Sequence, residues 1–140
     1  MLIDSKQFAQ LDETRQASFL VQLCKVAASH VRGHDGIKNA LLHNAELSQQ
    51  LLEGDYSVQD ELLKFIEDPN MSDDFGGFYE KVKDDAQASA AVHIVSYGCA
   101  FVLRLAAKRK GVNGLPDPVL EALPDIADFY FDQAQLLGIR

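Results

Sequence analysis

The residues best equipped for chemistry lie in one stretch, "HVRGHDGIKNALLH". His30 and His34 are four apart, Asp35 follows directly, and His43 comes later. Imidazole and carboxylate together hold divalent metals, so this is the donor set of a metal-dependent hydrolase. Gly33 stands between the first two histidines and favours a helix break there. On that account the spacing of four does not place His30 and His34 on one helical face. The competing reading has His30 ending one helix, His34 in a loop and Asp35 capping the next.

Other reactive side chains are placed less suggestively. His93 lies among Ala, Val and Ile, where a buried histidine serves as a hydrogen-bonded structural residue. A cavity beside His93 and Tyr97 would make the chain a non-catalytic adaptor or small-ligand bundle. Cys24 and Cys99 fall in apolar helical patterns, with nothing nearby to lower a thiol pKa. Two such cysteines read as buried thiols of a reducing compartment rather than a disulfide framework. No serine sits in a nucleophile elbow, and Gly76-Gly77 matches neither a dinucleotide nor a phosphate-loop pattern. The motifs therefore point away from an enzyme, and no cofactor is implied.

Charge is the most informative feature. The 140 residues carry a net charge of -8. Between Glu53 and Asp85 there are eleven acids and three bases, so this segment alone holds the whole excess. Such a block repels phosphate, which argues against direct nucleic-acid binding. It attracts a basic protein and speeds the encounter. Within it, "NMSDDFGGFYEKVKDD" sets Phe75, Phe78 and Tyr79 among carboxylates. Interface aromatics supply binding energy while flanking charges steer. The expected partner-binding residues are Asp60, Glu61, Asp73, Asp74, Phe75, Phe78, Tyr79, Glu80, Asp84 and Asp85. The plainer alternative makes Phe75 and Phe78 anchors of a surface segment, and the acids a solvated face.

The elements that must position these residues are all helical, since no strand alternation occurs. A short helix runs from Ser5 to Leu11. Asp12 then caps a helix whose face is Leu20, Leu23, Cys24, Ala27 and Val31, ended by Gly33. Asp35 caps a third helix that ends at Gly54, with Ile37, Ala40, Leu41, Ala45, Leu51 and Leu52 supplying most of its apolar face. Ser57 and Asp60 form a capping pair before Leu62, Leu63 and Ile66, and Pro69 stops that helix. Ser72 caps a short helix through the glycine pair, which weakens it by ~1 kcal/mol per glycine. The longest pattern spans about 84–110, acids at its start and bases at its end, with Gly111 beyond. Its uncharged run, Ala88 to Leu103, falls short of the ~20 apolar residues of a membrane span and reads as a core helix. Asp117-Pro118 and Pro124 start the last pieces, with Ile126, Ala127, Tyr130, Phe131, Ala134 and Leu137 inward and Gly138 closing. The fold expected is all-α: one domain, residues 1–140, of six to eight helices around the helix at 84–110. "MLIDSKQFAQ" shows no secretory pattern, so the chain is expected in the cytoplasm.

The last two-fifths of the chain resembles a known family. A long Ala-rich helix, "ASAAVHIVSYGCAFVLRLAAKRKG", precedes a proline-marked segment, "LPDPVLEAL", and an aromatic-rich final helix. In this it is similar to helical immunity proteins of bacterial contact-dependent inhibition and other polymorphic-toxin systems. The resemblance implies a cognate toxin domain as partner, commonly a basic nuclease, bound in the cytoplasm by a monomer or weak dimer. It implies no catalytic residues.

Overall fold

The computed structural model describes residues 2–68 and 74–140. Among them are eight α-helices, two 3-10 helices and no strand, forming one bundle. The α-helices are α1 (Ser5–Gln10), α2 (Glu13–Ser29), α3 (Asp35–Leu52), α4 (Gln59–Ile66), α5 (Phe75–Val82), α6 (Ala86–Lys110), α7 (Asp117–Leu120) and α8 (Ala127–Leu136). The 3-10 turns are Tyr56–Val58 and Pro124–Ile126.

Helix α6 is the axle, and α2, α3, α4, α5, α7 and α8 all pack on it. Its small residues explain how. At Gly98 the absence of a side chain lets α2 close in, because a Cβ there would fall on Cys24 Sγ and lie 3.4 Å from the Leu20 carbonyl oxygen. Cys24 in turn donates to the Ile94 carbonyl at 3.5 Å, and Cys99 to that of Asn44 at 3.6 Å. Burial pushes both thiols up, Cys24 to about 12. Neighbouring α2 runs antiparallel to α6: Glu13 at its start takes Arg104 at 3.3 Å and Lys108 at 2.7 Å from the far end of α6. Helix α3 runs the same way as α6, with His34 beside Asp85 at one end and Tyr56 under Lys110 at the other. A knot of phenylalanines closes the bundle where α1 and α8 meet. Phe8 and Phe131 cross edge to face at 5.3 Å, with Phe19 and Phe101 against Phe8.

The ends of α6 follow helix electrostatics. Asp85 caps its start by accepting from the Gln87 and Ala88 amides at 3.1 Å. Lys108, Arg109 and Lys110 occupy its last turn, and Gly111 turns left-handed at φ 69°. By length and composition alone α6 could cross a membrane, contrary to the shorter span read from its uncharged run. Its most apolar window is 89% buried inside the bundle, which is the placement of a core helix.

Several caps differ from expectation by a few residues. Helix α1 begins at Ser5 as expected, with Asp4 as its cap and Gln7 bonding back in a reciprocal pair. Helix α2 ends at Ser29, and Gly33 takes its positive φ in the connection beyond. His34 is the N-cap residue of α3, and Asp35 is its first helical residue. Asp55 rather than Ser57 caps the turn before α4. Asp74 caps α5; Pro69 and Ser72 lie outside the described residues. In each corrected cap that bonds through its side chain, an aspartate reaches an amide two or three residues on, which its short carboxylate does well.

Candidate interaction surface

The expected metal donors do not gather. His30 Nδ1–H donates to the Val26 carbonyl at 2.7 Å, within its own helix. His34 Nε2 meets Asp85 Oδ2 at 3.0 Å, and His43 Nε2 meets Glu61 Oε1 at 3.2 Å. Three imidazoles thus serve three separate partners. Among the described residues, no three His, Cys, Asp or Glu side chains are grouped to hold a metal ion.

The acid block divides into structural and outward-facing members. Asp74 and Asp85 cap α5 and α6, and Asp74 also accepts from the Asp68 amide at 3.2 Å. Asp85 is held below the usual carboxylate range by the Ala88 amide first and by His34 next. Asp60, Glu61, Glu80 and Asp84 are exposed, Glu80 pairing with Lys83 at 3.1 Å. Asp73 lies outside the described residues. The rings also divide. Phe78 is 7% exposed and packs on Phe65 at 6.1 Å, while half-buried Phe75 meets Phe65 edge-on at 6.5 Å. Both anchor α5, as the plainer alternative had it, and Phe78 is too deep to offer its face to a partner. Tyr79 differs. Its ring lies 5.1 Å from the His93 imidazole.

That contact opens onto a surface that periodicity did not reveal. On its other flank His93 meets Phe129 at 5.8 Å and 81°. Phe129 crosses Tyr130 at 5.0 Å, and Tyr130 stacks flat on Tyr97 at 4.1 Å. A run of five rings therefore joins α5, α6 and α8. Burial lowers the His93 pKa, favouring the neutral imidazole among these rings. The same tail segment carries exposed apolar side chains: Leu120 (51%), Leu123, Ile126, Phe129 (51%) and Leu136 (56%), of which Phe129 belongs to the run and Ile126 lines a cleft with Tyr97 and Tyr130. Ile126, expected inward, is 39% exposed, because Pro124–Ile126 is a 3-10 turn that re-aims it. Single exposed hydrophobics are ordinary, but several from one segment beside a ring cluster are the usual mark of an interaction surface.

A cleft of about 220 Å3 indents this surface. Tyr97 lines it, as does Tyr130, with His93 outside that lining. Tyr97 Oη donates to the Leu123 carbonyl at 2.7 Å, which pins the tail to α6. Its hydroxyl pKa is raised, by burial above all.

No protein-family model matches the chain, and no curated protein and no solved structure matches it.

Proposed function

We propose that this chain is an immunity protein that binds and neutralises the toxin domain of a bacterial polymorphic-toxin system, a basic nuclease by the electrostatic argument. It acts in the cytoplasm by capture rather than catalysis. The observation that carries the reading is the position of His93, with Tyr79 of the acidic segment on one flank and exposed Phe129 on the other. Tyr79 of the acid block and Phe129 of the apolar tail thereby meet on one side chain of α6. A face of this composition suits a basic partner with apolar contacts at its centre: carboxylates accelerate encounter, and aromatic and aliphatic side chains hold the complex. A nuclease site must be basic to hold phosphates, so an acidic inhibitor competes with nucleic acid for it. Direct nucleic-acid and membrane contacts have no place in this account.

The test starts from the gene immediately upstream, which the reading expects to encode a toxin domain, and co-expresses that domain with the chain. The reading expects that domain to arrest growth alone and to be silent when the chain is present. Arrest that persists despite abundant chain contradicts it.

A further inference from the structure

The cleft beside the ring run has a definite chemistry. Its floor is apolar, formed by Ala100, Ala122 and Ile66, and its wall is the Tyr130 ring stacked on Tyr97. Glu121 stands at the lining as an exposed carboxylate, close enough that its charge helps burial push the Tyr130 hydroxyl up. No basic side chain is among the described residues of the lining. An adjoining hollow shares Ile66, Phe75 and Pro118 and adds Glu67, Asp68 and Asp74. Arg104 stands behind the lining, its Nε–H donating to the Ala122 carbonyl at 2.9 Å, so the acid excess lies at Glu121 and in the hollow.

We infer that this cleft receives an arginine side chain of the partner: aliphatic stem on Ala100 and Ile66, guanidinium between the Tyr130 face and Glu121. The identity of the donor protein rests on the function proposed above; the chemistry of the cleft does not. Three properties select arginine. A cation over an aromatic face is attracted by the ring quadrupole. A planar guanidinium stacks on a ring and forks onto a carboxylate, which a compact and strongly hydrated ammonium does not do. The surroundings are also acidic, with Glu121 at the lining and Glu67, Asp68 and Asp74 in the adjoining hollow, which suits a cation.

The experiment titrates the whole chain with n-propylguanidinium and, separately, with n-butylammonium, following backbone amides and alanine methyls by NMR. The expected result is saturable shifts at Ala100, Ala122 and Tyr130. They should weaken about tenfold in Glu121→Gln, and n-butylammonium should bind at least about fivefold more weakly. Glu121 is exposed, so this variant keeps the fold. Shifts confined to the Asp60 and Glu80 region, or equal binding of the two cations, overturn the inference. Guanidinium binding in a chain that fails to protect against the upstream toxin leaves the cleft standing and removes the immunity reading. Protection unchanged by Glu121→Gln, with no guanidinium shifts at Ala100, does the reverse.

Discussion

The Phe129 ring stands edge-on to the His93 imidazole, 5.8 Å from centre to centre, although Phe129 itself is half exposed. A side chain in that position is held in orientation by His93 and by Tyr130, 5.0 Å away, while its remaining area faces outward. Because His93 also meets Tyr79, one residue of the central helix touches both the acidic segment and the tail.

Phe129→Ala separates binding from folding. Half of the ring is covered, by His93 and Tyr130, so stability by urea denaturation is expected to fall by only about 1 kcal/mol. Affinity for the toxin domain is expected to fall by about thirtyfold or more, a hot-spot loss of ~2 kcal/mol. Calorimetric titration reads it. A loss of stability with affinity intact would make Phe129 a packing residue.

The exposed carboxylates give a kinetic prediction. Asp60, Glu80 and Asp84 project to solvent and cap no helix, unlike Asp74 and Asp85. Reversing the three to lysine should slow association strongly at low salt and hardly at all at ~1 M, where the Debye length is ~3 Å. Surface plasmon resonance across a salt series measures this. A change in dissociation rate alone would count against steering.

Gly98→Ala tests the closest helix approach. A methyl at 98 meets Cys24 Sγ and crowds the Leu20 carbonyl, so α2 must back away from α6. Overpacking of this sort costs about 1–3 kcal/mol, against a helix-propensity gain of ~1 kcal/mol. Cys24→Ala in the same chain should recover much of the loss, a coupling that denaturation of the four variants measures.

How much of this was legible beforehand depends on what each residue does locally. Gly111, the bases of the last α6 turn and Asp12 were readable because caps and dipoles act within one turn of sequence. The Cys24 face of α2 was readable because its period matches the helix. Phe129 and Ile126 were not. Periodicity placed Ala127, Phe131, Ala134 and Leu137 inward as found, but it assigns a face and not what covers it, and the 3-10 turn at Pro124–Ile126 takes Ile126 itself out of that phase. Phe75 and Phe78 stayed between interface and anchor for a related reason: charge marks the segment as exposed, whereas their rings answer to Phe65, a residue of α4 that the pattern did not single out.

Alkaline pH should weaken the fold. Cys24 is raised from an ordinary thiol value to about 12 by burial, so the folded chain keeps a proton that the unfolded chain releases near pH 9. Stability is therefore full below about pH 9 and declines as pH rises from there toward 12; Tyr97, also raised, adds to the decline above pH 10. Denaturation of wild type and Cys24→Ala at pH 7 and pH 10.5 checks the sign: the wild type should lose more. Native Cys24 and Cys99 should also resist alkylation until urea exposes them.

Acid acts through the opposite shift. Asp85 is depressed by the Ala88 amide first and then by His34, and Glu13 by its hydrogen bond to Lys108. A depressed carboxyl stabilises the fold above its ordinary range, and that contribution is lost as pH falls through the lowered value. Asp85→Asn keeps a capping oxygen without the charge. Its urea midpoint should fall less than that of wild type between pH 7 and pH 3.5, and an identical fall would show that Asp85 contributes nothing to acid sensitivity.

Amide hydrogen exchange of the chain, alone and saturated with the toxin domain proposed as its partner, locates the contact directly. The account predicts slowed exchange in Phe75–Val82, in the segment around Leu120–Ile126 and in Ala127–Leu136. Protection confined to α3 and the outer side of α2, with these segments exchanging as in the free chain, would contradict it.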